Sequence, residues 1–144
     1  MEGNLTGSYL VKAYRPAFQQ AKKLLPRRRD FAELRRHALK LRFWPENHPE
    51  TENGQVLDLD WSWIRAISGK NVGELRIGDT IAGHDNLRVI FFVPQKEAKL
   101  PIIWILAAFQ KKRDDFTPAQ IKIFKARRNM ILERYYKNPL RPHE

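Results

Sequence analysis

The stretch from Asn86 to Gln120 constrains the fold more than any other part of the chain. It contains an apolar strand, a turn, a second and more apolar strand, a burst of positive charge and a helix start. In the first strand Leu87, Val89, Phe91 and Val93 fall on one face and Arg88, Ile90 and Phe92 on the other, because strand side chains alternate with period two. The second, Ile102 to Phe109, is apolar on both faces. Such a strand belongs inside a sheet covered on both sides. It ends in Gln110-Lys111-Lys112-Arg113, so a cationic cluster leaves the best-buried strand next to Arg88.

The flanking sequence supplies the other elements. Tyr9 to Tyr14 suits a short first strand, and Arg15-Pro16 opens a helix that should break near Pro26. Phe31, Leu34, Ala38 and Leu41 form the apolar stripe of a second helix, with Asp30 and Glu33 at capping-box spacing and Pro26 as an alternative start further upstream. The other faces of that helix carry Arg28, Arg29, Arg35, Arg36, Lys40 and Arg42. Residues 44–56 have no period and read as a loop, and Leu57 to Ile67 as a short helix capped by Asp60, with Trp61 and Trp63 as packing residues. Val72 to Ile77 is a further strand, joined to the next by a hairpin connection over Gly78–Asn86. Thr117-Pro118-Ala119-Gln120 starts a helix running to about Tyr136. Its two apolar arcs, Ile121, Phe124, Ile131, Leu132 and Tyr135, and Ile123, Ala126 and Met130, are wider than one sheet needs, leaving surface for a partner. The expectation is one domain over residues 1–144, with loose tails at 1–8 and 137–144.

Charge and motif content narrow the chemistry. Against 16 acidic residues stand 27 Lys and Arg, a net charge of +11 that favours a polyanionic partner, nucleic acid before an acidic protein. The chain has no cysteine, which excludes disulfide and thiolate chemistry and fits a cytoplasmic location. Neither a signal peptide nor a membrane span is expected. His37, His48, His84 and His143 show no metal-ligand spacing, no glycine loop fits a nucleotide, and no Ser has a nucleophile's context. Asp58, Asp60, Asp114 and Asp115 read as turn and cap residues. What remains is cationic: Arg76 and Arg88 on strands, and Lys111, Lys112 and Arg113 at a strand exit. Arginine forks fit phosphate oxygens, and a lysine can stabilise a developing dianion or move a proton. Such a set suits metal-free phosphodiester chemistry on RNA, in which a 2′-hydroxyl attacks the adjacent phosphate. Basic strand ends also occur in proteins that only bind.

Glu74–Ile77 (ELRI), Leu87–Val93 (LRVIFFV) and the strand–FQKK–x–x–x–TP pattern from Ile102 to Ile121 together resemble the RelE/HigB-type toxins of the RelE/ParE toxin–antitoxin superfamily, over roughly residues 9–136. The resemblance implies an α+β fold in which an N-terminal helical hairpin packs on a twisted, mainly antiparallel four-stranded sheet with a C-terminal helix. It implies an mRNA endoribonuclease that acts on the ribosome without a cofactor and is neutralised by an antitoxin protein. Carried over by position, Arg88 holds the scissile phosphate, Arg76 supports it, and Lys111 and Lys112 share proton transfer and charge stabilisation. Arg113, His84, Arg35 and Arg36 are candidates for RNA contact. No histidine or tyrosine directly follows the long strand as general acid; His84, Tyr135 and Tyr136 are the candidates for that role. A gyrase inhibitor of the ParE branch and a non-catalytic RNA- or ribosome-binding module are the alternatives.

Overall fold

The computed structural model describes residues 9–94 and 101–136. In chain order it contains β1 (Leu10–Ala13), α1 (Arg15–Leu24), α2 (Arg28–Ala38) running into a 3-10 turn at Leu39–Phe43, and β2 (Trp61–Trp63). A 3-10 turn at Arg65–Ile67, β3 (Val72–Ile77), β4 (Leu87–Phe92), β5 (Ile102–Gln110) and α3 (Pro118–Tyr135) follow. The strands form one mixed sheet in the order β1-β5-β4-β3-β2, with β1 parallel to β5 and the other pairs antiparallel. The fold is α+β with a C-terminal helix. β5 lies inside the sheet, between β1 and β4, as its two apolar faces require.

Each face of the sheet carries its own core. On one side Ala21, Leu25, Leu34 and Ala38 of the N-terminal helical segment pack on Leu75, Val89, Phe91 and Ile103. On the other, Phe124, Ile131 and Leu132 of α3 pack on Ile90, Phe92, Trp104 and Leu106. The alternation read in β4 therefore divides the molecule, sending Val89 and Phe91 one way and Ile90 and Phe92 the other.

Several expectations are corrected. The sheet has five strands, because Trp61–Trp63 pairs with Gly73–Leu75 as β2 where a short helix was expected. Trp61 packs between Trp44, Trp63 and Phe91, and its Nε1 donates to the Pro45 carbonyl at 3.0 Å. Sheet pairing and aromatic packing thus outweigh the helix signal. The N-terminal helices follow an edge strand and meet through Phe18 and Phe31, edge-on at 5.4 Å, with Lys22 over the Phe31 ring. Arg27, not Asp30, precedes the first turn of α2, and no side chain caps it. Residues 44–56 form the expected loop, closed by a bridge between Glu50 and Val56. The expected tails, and the turn at residues 95–100, lie outside the described residues. No described helix is long and apolar enough to cross a membrane.

α3 begins as its sequence predicts: Thr117 Oγ1 accepts from the Gln120 amide at 3.1 Å, and Gln120 Oε1 accepts from the Thr117 amide at 2.9 Å. Gly73 marks the tightest point in the sheet. A Cβ there would lie 2.5 Å from Cζ of Phe91, a fully buried ring paired across the strands with Gly73. The ring also packs against Trp61 and Trp63, at centroid distances of 6.0 and 6.4 Å. Gly73→Ala is therefore expected to cost about 2–3 kcal/mol through overpacking, read as a lowered denaturant midpoint with an unchanged slope.

Candidate functional site

The cations converge because of register. Arg76 on β3 lies directly across from Arg88 on β4, and Glu74, two residues before Arg76, shares its face. That is the α3 face of the sheet, since Ile90 and Phe92 alternate with Val89 and Phe91 in the same sense as Arg88.

Lys111 reaches the same face through a β-bulge. The pairing of β4 with β5 slips between Ile90 and Phe91: Ile90 lies opposite Ala107, whereas Phe91 lies opposite Ile105. Leu106 and Ala107 consequently point to the same side, into the α3 core. Before the bulge Ile103 and Ile105 face the N-terminal helices; after it Phe109 faces α3. Lys111, two residues beyond Phe109, follows it onto the face of Arg88. A strand of unbroken period two would have put Lys112 there instead. The bulge thus selects Lys111 from the Lys-Lys pair.

Two side chains hold the bulge. Arg127 reaches in from α3, where its Nη1 donates to the Leu106 carbonyl at 2.7 Å and to Gln20 Oε1 at 3.3 Å. Gln20 Oε1, from α1, also accepts from the Ala108 amide at 3.3 Å. Backbone groups displaced from the ladder are thereby satisfied from both layers. Burial lowers the pKa of Arg127, and Tyr14 partly opposes that shift. Arg127→Met should cost about 2 kcal/mol, because it strands the Leu106 carbonyl; equilibrium denaturation checks this.

Glu74 anchors the cationic cluster. It is 7% exposed, and its Oε2 accepts from Arg88 Nε at 2.8 Å and lies 3.6 Å from Lys111 Nζ. Its Oε1 accepts from Arg76 Nη1 at 3.3 Å. The outer side of Arg76 is gripped by Asp60, whose two oxygens accept from Nε at 3.2 Å and Nη2 at 3.1 Å, while Ser62 Oγ accepts from Nη1. Asp60 is therefore a clamp on Arg76, not a helix cap. Lys111 Nζ also lies 4.3 Å from the Phe116 ring centroid.

Beside this cluster opens a cleft of about 310 Å³ lined by Asp85, Asn86, Arg88, Gln110, Lys111, Lys112, Arg113 and Asp114. Lys112 and Arg113 are exposed, and Arg88 and Lys111 are largely buried beside Glu74. His84 Nδ1 hydrogen-bonds Gln110 Oε1 at 3.1 Å, and Gln110 Nε2 donates to Asp85 at 3.0 Å. The arrangement gives an anion two recessed cations and two exposed ones. Its arginine is already oriented by a carboxylate.

Arg88, Lys111, Lys112 and Arg113 line this cleft, Arg76 adjoins it through Glu74, and His84 touches its wall through Gln110. The others lie elsewhere. Tyr136 accepts a hydrogen bond from Trp104 Nε1 at 3.1 Å, and Tyr135 stacks on Trp104 at 5.0 Å. Trp104 and Gln110 are six positions apart on β5, roughly 20 Å at 3.3 Å per residue, so the tyrosines sit at the far end of the strand. Arg35 and Arg36 are exposed on α2, against the opposite face of the sheet, where Arg35 helps line an apolar cavity of about 230 Å³. The sequence reading passed over Glu74. The available signal was its place two residues before Arg76, on the strand face already assigned to the cations.

Comparison of the chain with protein-family models, curated proteins and solved structures finds no match.

Proposed function

We propose that this chain is the toxin of a toxin–antitoxin pair, an mRNA endoribonuclease whose own cations carry the phosphodiester chemistry. The observation that carries the reading is the pairing of Arg88 and Lys111 on one sheet face around Glu74, recessed beside an open cationic cleft. Arg88 holds the nonbridging oxygens of the scissile phosphate, and Lys111 stabilises the charge that grows as the 2′-oxygen attacks phosphorus. The bond from phosphorus to the 5′-oxygen breaks, giving a 2′,3′-cyclic phosphate and a 5′-hydroxyl. The proton lost by the 2′-hydroxyl balances the one gained by the 5′-oxygen. Of the candidates for the acid, His84 lies beside the cleft, whereas Tyr135 and Tyr136 lie at the far end of β5. Lys112 and Arg113 draw in the flanking phosphates.

The same reading assigns an antitoxin partner. The net charge of +11 favours an acidic one, and Ile123 and Met130, seven residues apart on α3, are 44% and 46% exposed. Induction of the protein in cells should stop translation and leave discrete cuts in mRNA, and co-expression of the adjacent gene product should relieve both. Growth arrest with intact mRNA would contradict the reading and point to gyrase inhibition. One observation favours the binding-only alternative: Glu74 already pairs with three of the cations. RNA binding with a steep salt dependence and no cleavage would decide for it.

A further inference from the structure

On the other side of α2 a second constellation lies outside the cationic cleft. Glu33 and His37 are one helical turn apart and so project from the same face of α2. Asp79 meets them from the connection between β3 and β4, and one donor atom from each residue lies within 4.8 Å of the other two. His37 Nε2 and Asp79 Oδ2 are 2.9 Å apart. His37 is 8% exposed, Glu33 half-buried, and the Asp79 side chain 58% exposed. The cluster thus has a recessed nitrogen donor, two carboxylates and one side open to water. The sequence reading missed it, because it weighed the spacing of the histidines alone, and the third member of the cluster, Asp79, arrives from another element.

We propose that Glu33, His37 and Asp79 form a binding site for a first-row divalent transition ion of the zinc type, which ties α2 to the β3–β4 connection. One imidazole and two carboxylates are a ligand set such ions accept, with water completing the coordination. Ligands about 2.0–2.2 Å from zinc lie roughly 3–4 Å from one another, so small side-chain rotations close the present spacing. The tied segment is also the one that carries His84 and Asp85 to Gln110. The site stands independently of any RNA chemistry.

The test uses the full chain, stripped with a chelator, dialysed and titrated with Zn²⁺ and with Co²⁺ as a spectroscopic probe. The expected result is one ion per chain, visible Co²⁺ absorption that Zn²⁺ displaces, and a melting temperature that rises with Zn²⁺ concentration. Asp79→Asn and Glu33→Gln, at positions exposed enough to spare the fold, should each weaken binding by at least about tenfold, and His37→Gln by more. Circular dichroism of each variant before titration confirms that it is folded. Absence of saturable binding to the wild-type chain, or equal binding by wild type and the Asp79→Asn and Glu33→Gln variants, would overturn the proposal.

Discussion

Glu74→Gln is expected to lower the stability of the free protein by about 3 kcal/mol and its melting temperature by roughly 10 °C. The substitution keeps the shape and one acceptor oxygen but removes the carboxylate charge that, among the described residues, Arg88 and Lys111 share. Their side chains are 15% and 14% exposed, so water replaces the lost anion only in part. Breaking a buried ion pair from one side costs more than the pair is worth, because the remaining charge stays desolvated. The estimate lies at the lower end of that range because Arg76 is a third exposed and keeps Asp60. Lys112→Ala and Arg113→Ala, at exposed positions, should change stability by no more than about 0.5 kcal/mol. A further signature separates this account from general core damage. An added polyanion should stabilise the Glu74→Gln protein more than the wild type, since it supplies the missing negative charge. Equal stabilisation of both proteins would count against Glu74 as the counter-charge of the site.

The second large effect is on activity. Arg88→Ala should reduce RNA cleavage by about 10²–10³-fold, the usual cost of removing one preorganised donor from a developing oxyanion. Lys111→Ala should act similarly. Lys112→Ala should mainly weaken binding and flatten its salt dependence, because its exposed side chain lines the cleft without pairing with Glu74, whereas Lys111 does. This asymmetry between neighbouring lysines is specific to the structure. If Lys112→Ala were the damaging change and Lys111→Ala the mild one, the assigned register would be at odds with the chemistry.

The division of β4 into two faces was legible in the sequence because strand side chains alternate with period two whatever their type, and the start of α3 because Thr117, Pro118 and Gln120 fix a cap whose partners are local. The bulge was not legible. Leu106 and Ala107 are both apolar, so no polarity change marks the slip, and its determinants, Gln20 and Arg127, lie 88 residues away from Ala108 and 21 away from Leu106. β2 was hidden for a related reason: three residues are too few to show a period, and its stability comes from pairing with β3 and from the Trp44, Trp63 and Phe91 rings around Trp61. For the site, sequence alone identified Arg76, Arg88 and the Lys-Lys pair. It could not show that a carboxylate on the same face holds Arg76, Arg88 and Lys111 together, nor that Tyr135 and Tyr136 are at the wrong end of the strand.

The most direct measurement is single-turnover cleavage of a defined end-labelled mRNA on programmed ribosomes, with the product ends identified chemically. Discrete cuts bearing a 2′,3′-cyclic phosphate and a 5′-hydroxyl are expected with the wild-type protein. Those cuts should be lost with Arg88→Ala and with Lys111→Ala, and retained with the Arg35→Ala/Arg36→Ala double variant. Cleavage by Arg88→Ala at the wild-type rate, or products ending in a 3′-hydroxyl and a 5′-phosphate, would contradict the proposed chemistry.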